Sequence, residues 1–263
     1  MGDPGPSSAP GGANRPEVSI VLGTLNERPN LPELTERLRR AALPSWEAIV
    51  VDDGSNDGSR EFLEGLAAAD PRFRPLFHDG RQTTVRAQSQ GIREARGERV
   101  VVMDADLQHP PELLPALVRP LARGAALSIA SRYVTGGSPG PRTALRGLLS
   151  RSAEGIARVV LPDARRVRDP VSGFFAFRRE LFPPVDPSLR GYKLLLLMLV
   201  RARGRPVAEV PFRFEPRTAG ASKVVGGIGF VRVFLTEVLQ AKRLELALRA
   251  EPPRPLAPRP TEG

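Results

Sequence analysis

The feature that most constrains this chain is an alternation: a short β-branched run followed by a segment of helical apolar spacing, four times in succession. Val18–Leu22 (VSIVL) reads as a strand, and Leu31–Ala42 then places Leu31, Leu34, Leu38 and Ala41 on one helical face. Trp46–Val51 is a second strand that stops at the acidic turn Asp52-Asp53-Gly54-Ser55-Asn56-Asp57, and Ser59–Ala69 is a helix for which Asp57 is the candidate cap. Phe73–Phe77 with Thr84–Ala95, and Arg99–Met103 with Glu112–Arg123, repeat the unit, with Pro110 and Pro111 setting the start of the last helix. Leu127–Ala130 adds a fifth strand. Because these strands are continuously apolar, they need cover on both faces. The pattern predicts an α/β fold with a mainly parallel central sheet between two layers of helices.

Composition removes several function classes. There is no cysteine among the 263 residues, so disulfides, zinc-thiolate sites and a cysteine nucleophile are out, and a reducing compartment suits the chain. The longest apolar run, Leu194–Val200, is far short of the roughly 20 residues that cross a membrane. Residues 1–16 lack the basic and apolar regions of a signal peptide, so a cytoplasmic location is expected. Residues 1–16 and 251–263, rich in Pro with Gly, Ser, Ala or Arg, read as disordered ends around a body at 17–225 and a helix at 226–250. The excess of 39 Lys+Arg over 29 Asp+Glu gives a net charge of +10, with only Lys193, Lys223 and Lys242 as lysines. Arg190–Arg205 carries five positive charges and no acid around the Leu194–Val200 run, a surface that attracts phosphates or is simply a solvated basic face.

In parallel sheets ligands bind beyond the carboxyl ends of the strands. Acids stand there: Asn26-Glu27 after the first strand, Asp52-Asp53 after the second, Asp104 and Asp106 after the fourth. The first turn, Gly23-Thr24-Leu25-Asn26-Glu27-Arg28, is not the glycine fingerprint of a dinucleotide site, and no glycine-rich phosphate loop occurs. An acidic crevice takes a phosphorylated substrate only with a divalent cation between the charges. Asp104-Ala105-Asp106-Leu107-Gln108 leaves a strand with alternate side chains on one side, so it can offer oxygen ligands to one hard cation; alone, such a pair reads equally as a cap or turn.

Together these motifs resemble the family 2 glycosyltransferases with a GT-A (Rossmann-like) fold, over Val18 to about Phe234. The resemblance is nearest to the dolichol-phosphate or polyprenol-phosphate mannosyltransferase subgroup. Thr24-Leu25-Asn26-Glu27, Val51 to Gly58, Met103 to Glu112 and Ser131-Arg132-Tyr133 carry it broadly. Arg168-Asp169-Pro170-Val171-Ser172-Gly173-Phe174-Phe175-Ala176 and Arg217 with Gly220, Ser222 and Lys223 carry the subgroup.

The resemblance implies an inverting transfer of a sugar, mannose from GDP-mannose foremost, to a polyprenyl or dolichyl phosphate. It implies that Asp104, Asp106 and Gln108 hold Mg2+ or Mn2+, with Asp106 catalytic. Thr24, Asn26, Glu27, Asp52, Asp53 and Asp104 would line the nucleotide-sugar pocket. Arg132, Arg146, Ser150, Asp169 and Ser172 would bind the acceptor phosphate, and Arg217 and Lys223 would stabilise the leaving diphosphate. Paired arginines suit that work, because guanidinium forks grip phosphate oxygens bidentately. Arg146 and Ser150, four residues apart on a helix expected over Leu145–Val160, also fit a plain solvated face. Asp169-Pro170 fits a turn, and Gly173 with Phe174, Phe175 and Phe177 a packed strand. A phosphate monoester is already a nucleophile, so no general base is required; His109 beside the metal block reads as a supporting residue.

For a lipid acceptor the chain must meet a membrane peripherally, at its cytoplasmic face, with or without an anchoring partner. Gly226–Ala250 is expected to form a basic amphipathic helix carrying Ile228, Val231, Phe234, Leu235, Val238 and Leu239, either lying in the interface or packed on the body. Four segments depart from the family pattern: Leu25 stands where an aromatic is usual, Arg81-Gln82-Thr83-Thr84 replaces a glycine turn, Leu197 stands where an acid is often found, and Ala221 where glutamate is common. The alternatives are a UDP-sugar donor or another acceptor on the same fold, and a non-enzymatic module for nucleic acid or anionic surfaces. Against the module stand the 5% aromatic content and the absence of a recognisable nucleic-acid motif, so no nucleic acid is expected.

Overall fold

A computed structural model describes residues 15–140, 144–182, 191, 193–215 and 228–250. The chain alternates as expected through β1 (Val18–Thr24), α1 (Leu31–Arg40), β2 (Trp46–Asp52), α2 (Ser59–Ala69), β3 (Phe73–Phe77), α3 (Thr84–Glu94), β4 (Arg99–Asp104), α4 (Leu114–Ala122) and β5 (Leu127–Ser131). It continues through α5 (Ala144–Val160), β6 (Phe175–Arg178), α6 (Leu194–Arg201), β7 (Val207–Pro211) and α7 (Ile228–Ala250).

The strands form one seven-stranded sheet in the order β3-β2-β1-β4-β6-β5-β7. All neighbours are parallel except at β6, which runs antiparallel to both β4 and β5. Side chains alternate between two cores, one on each face. In β4, Val100 and Val102 enter one core while Val101 and Met103 enter the other. In β6, Phe175 and Phe177 face the first, and Ala176 with the preceding Phe174 the second. This two-sided burial is why the strands read as unbroken apolar runs.

The helices follow the same economy. In α1, Leu31, Leu34 and Leu38 are buried, a proline occupies the first turn, and Arg37, Arg39 and Arg40 sit in the last turn, where the helix dipole favours cations. Contrary to the expected cap, Gly58, in the left-handed region, stands at the N-cap of α2 without a side-chain cap bond, and Asp57 one residue earlier accepts the Ser59 N–H at 3.1 Å and its hydroxyl at 2.6 Å. All seven residues Leu194–Val200 of α6 are buried, which accounts for a helix apolar on every side. Leu197, where an acid is usual, belongs to this packing.

In α7 the two readings of the amphipathic helix fall on different residues. Phe234, Val238 and Ala241 enter the core, whereas Val231, Leu235, Leu239 and Leu246 are exposed. Among the described residues no helix is long and apolar enough to cross a membrane.

Candidate active site

The order of the sheet makes the site. β1 lies between β2 and β4, with Thr24 opposite Asp52 and Gly23 opposite Asp104. The chain therefore leaves the sheet three times at one level, at the switch point where such folds bind ligands. A cleft opens there. Its walls are Gly23–Leu25 and Glu27 after β1, Val51 and Asp53 at β2, Asp104–Asp106 after β4, Arg81–Thr84 before α3, Ser172-Gly173, and Lys193-Leu194. Two non-glycine residues with positive φ, Asn26 (49°) and Leu107 (64°), mark the turns on either side, a local backbone cost of about 1–3 kcal/mol each that sites commonly carry.

The expected nucleotide-pocket residues divide between lining and support. Thr24, Glu27, Asp53 and Asp104 line the cleft. The Thr24 hydroxyl is buried without a hydrogen-bond partner among the described residues, a polar atom that a ligand would satisfy. Asp53 accepts the Gln82 N–H at 2.8 Å and lies 3.1 Å from His78 Nδ1, so it also fixes the loop before α3. Asn26 and Asp52 do not line the cleft, contrary to expectation. Asp52 is fully buried and bonded by the Ser55 hydroxyl and N–H, and Asn26 accepts the Asn56 N–H at 2.9 Å. Asp52 closes the β2 turn on itself and Asn26 ties the β1 turn to it, work that small polar side chains do at turns. Leu25 contributes an aliphatic wall where an aromatic was usual.

Asp104 and Asp106 face the cleft as the alternation requires. Asp106 is buried and accepts the Gln108 N–H at 3.2 Å, while the Asp104 side chain is 46% exposed. Gln108 lies outside the lining residues, and its amide nitrogen donates to the Glu215 carbonyl at 3.2 Å, which leaves the amide oxygen as its available ligand. No group of three His, Cys, Asp or Glu able to hold a metal occurs among the described residues. Two carboxylates without a full protein cage are the donor set of Mg2+, or of Mn2+ with similar ligands, when substrate phosphates and water complete the shell. The residues fit such an ion.

His109 supports this block. Its Nδ1 accepts the Asp104 N–H at 3.0 Å, which places the ring proton on Nε2. The ring stacks on Phe174 at 5.1 Å, and burial pushes its pKa below the ordinary histidine value against the pull of Asp104 and Asp106. A neutral histidine so held orients Asp104.

At the end of β5, Arg132 and Asp169 form a buried fork. Asp169 is 0% exposed and accepts Arg132 Nε at 2.7 Å, Nη2 at 2.6 Å and the backbone N–H at 3.0 Å. Burial opposes the guanidinium charge, but Asp169 outweighs it and raises the arginine's pKa. Asp169 is thus not itself a phosphate ligand, since a sealed carboxylate repels phosphate; it orients Arg132. Ser172 lines the cleft, but its hydroxyl donates to the Ala130 carbonyl at 2.8 Å and accepts the Phe174 N–H at 3.2 Å, so it shapes the turn. Ser150 lies on α5, its hydroxyl donating to Glu154 at 3.2 Å. The α5 backbone places Arg146 one turn earlier. Arg217 and Lys223, with Gly220, Ala221 and Ser222, lie outside the described residues.

The cleft also holds residues that sequence reasoning did not select: Arg81–Thr84, Gln88 and Lys193. Lys193 belonged to the basic run flagged for phosphate affinity, so a signal existed, but nothing local singled it out from its neighbours.

Residues 19–184 match the family model described as Glycosyl transferase family 2. A dolichol-phosphate mannosyltransferase of Pyrococcus furiosus is 39% identical over 211 residues, 80% of this chain and 60% of that protein. The chain therefore spans less than two thirds of that relative. A polyprenol monophosphomannose synthase of Mycolicibacterium smegmatis is 36% identical over 218 residues, 79% of this chain and 80% of the relative. Among solved structures, glucosyl-3-phosphoglycerate synthase from Mycobacterium tuberculosis in complex with Mg2+ and UDP superposes with a TM-score of 0.66 at 22% identity, covering 88% of this chain and 81% of that one. That likeness is one of fold.

Proposed function

The chain belongs to glycosyl transferase family 2, and from that membership we propose that its cleft transfers a sugar, mannose from GDP-mannose, to a polyprenyl phosphate. The observation that carries the reading is the meeting, at one switch point, of Thr24 and Glu27 from β1, Asp53 beside β2 and Asp104 with Asp106 from β4. The names of the two relatives direct the choice of mannose and a lipid phosphate.

Thr24, Glu27 and Asp53 bind the nucleoside. Asp104 and Asp106 hold Mg2+ or Mn2+, which when bound neutralises charge on the diphosphate. Asp169 holds the Arg132 guanidinium in one orientation through Nε and Nη2, and the N–H groups of the guanidinium that Asp169 does not take receive the acceptor's phosphate. The phosphate is a nucleophile at neutral pH, so no base is required, which agrees with the engaged, neutral His109. A phosphate oxygen attacks the anomeric carbon in line, the bond to the nucleoside diphosphate breaks, and configuration inverts. Arg146, Ser150, Arg217 and Lys223 add to the phosphate sites on the strength of the motif alone.

The exposed Val231, Leu235, Leu239 and Leu246 of α7, with Arg232 and Arg243 on the same helix, support a peripheral contact with a cytoplasmic membrane face, where the lipid acceptor resides. Purified protein with short-chain polyprenyl phosphate and Mg2+, given GDP-mannose or UDP-glucose in parallel, tests the donor by mass spectrometry of the lipid. Mannose transfer supports the reading. Glucose transfer alone overturns the donor and retains the chemistry, and transfer of neither sugar overturns both.

A further inference from the structure

Lys193 is a cleft residue that the proposed mechanism leaves unused. It precedes α6 and faces the space shared with Asp104, Asp106 and Ser172. Its ammonium has no hydrogen-bond or ion-pair partner among the described residues. Burial, reinforced by the positive field of Arg132, pushes its pKa below the ordinary lysine value. The residue is half-buried, so its ammonium faces the cleft with only solvent to satisfy it, and a bound anion there would supply both a counter-charge and acceptors.

The backbone at this position is held from outside the catalytic motifs. Glu237 of α7, only 5% exposed, accepts the Lys193 N–H at 2.9 Å. Gly191 makes room for that carboxylate: its φ is 131°, and a Cβ there would overlap Glu237. The Gly191 carbonyl in turn accepts the Val85 N–H at 3.1 Å, in the first turn of α3, next to the cleft residues Thr83 and Thr84. One buried glutamate on α7 thus reaches two walls of the cleft.

We propose that Lys193 binds a phosphate group in the cleft, and that Glu237 of α7 is the positioning residue that sets it there. This rests on the phosphorylated substrates proposed above. The phosphate is either that of the nucleoside diphosphate or that of the acceptor, and the experiment separates them.

Calorimetric titration of the full chain with Mg2+ present uses GDP and UDP in one arm and farnesyl phosphate in the other. Lys193→Met weakens binding in one arm by about tenfold or more, the size of a charge-assisted hydrogen bond, and leaves the other within about twofold. Glu237→Asp, which withdraws the carboxylate by one methylene, weakens the same arm, whereas Glu237→Gln, which keeps an accepting oxygen, holds wild-type affinity. The Lys193→Met/Glu237→Asp pair binds no more weakly than Lys193→Met alone, because both act through one contact. A purely structural role for Glu237 would lower the melting midpoint without that selectivity and would add to Lys193→Met, overturning the positioning claim. If Glu237→Asp does not fold, Glu237→Gln decides: loss of the affinity despite its retained oxygen refutes positioning through this bond. Wild-type binding with unchanged affinity in both arms of Lys193→Met overturns the inference alone. A wild-type chain that binds none of the three ligands overturns the functional reading with it.

Discussion

Truncating Asp169 to alanine removes the carboxylate that holds Arg132, and its cost can be worked from the burial of the pair. Asp169 is 0% exposed, the Arg132 side chain 11%, and three N–H groups converge on the carboxylate within 3.0 Å. Asp169→Ala leaves a guanidinium in a low-dielectric site without its counter-ion, and removing one partner of a buried pair costs about 3–5 kcal/mol. For a chain of this size that lowers the melting midpoint by about 6–20 °C. Arg132→Ala strands the carboxylate instead and costs a similar amount. Arg132→Met/Asp169→Leu, which replaces both charges by apolar groups, regains most of the loss. Urea unfolding of the four proteins measures each step. The double variant also separates stability from function: it folds, yet its KM for prenyl phosphate rises, because the guanidinium that receives the phosphate is gone. An Asp169→Ala protein within about 1 kcal/mol of wild type, the value of an exposed salt bridge, would refute the reasoning.

Asp106→Ala lowers metal-dependent transfer by about 10²–10³-fold or more with the thermal midpoint nearly unchanged; retained activity in a turnover assay would remove the metal assignment. Glu237 has its pKa raised from 4.5 to about 7, mainly by burial, with Lys193 opposing. Its folded state therefore binds the extra proton, and its contribution to stability, full below pH 4.5, is lost as pH rises through about 7, a change of about 3 kcal/mol. Glu237→Gln is accordingly more stable than wild type at pH 8, and the difference shrinks toward pH 4.5 when urea midpoints are compared. Val231→Ser/Leu235→Ser/Leu239→Ser, on exposed positions, reduces sedimentation with anionic vesicles and leaves unfolding midpoints in place.

The parts of the fold legible in the sequence are those whose burial is written locally. β1, β2, β4 and β5 are buried on both faces, so each appears as an apolar run, whereas β3 at the sheet edge buries only Phe73 fully, and the helices between them show one-sided spacing. β6 is only four residues, inserted antiparallel between β4 and β5, and its pairing is a long-range choice that leaves no periodic trace. β7 is half-buried at the sheet edge, bonded only to β5, with Pro211 at its end. The site divides in the same way. Asp104 and Asp106 were legible because a strand end dictates where alternate side chains point. Asn26 and Asp52 sat in equally suggestive motifs, yet their oxygens serve the turn rather than the cleft. Lys193 and Arg81–Thr84 reach the cleft through tertiary packing alone, Lys193 through a bond to a helix 44 residues further along the chain.

The central claim is that a lipid phosphate, made competent by its own charge rather than by a protein base, accepts a sugar in a metal-dependent cleft. Offering the purified chain a short polyprenyl phosphate and, separately, the corresponding free polyprenol, each with GDP-mannose and Mg2+ and each with and without EDTA, tests it directly. The account predicts a mannosyl-phosphoryl lipid from the phosphate only, abolished by EDTA. Transfer to the free alcohol, or a product that survives EDTA, would contradict it.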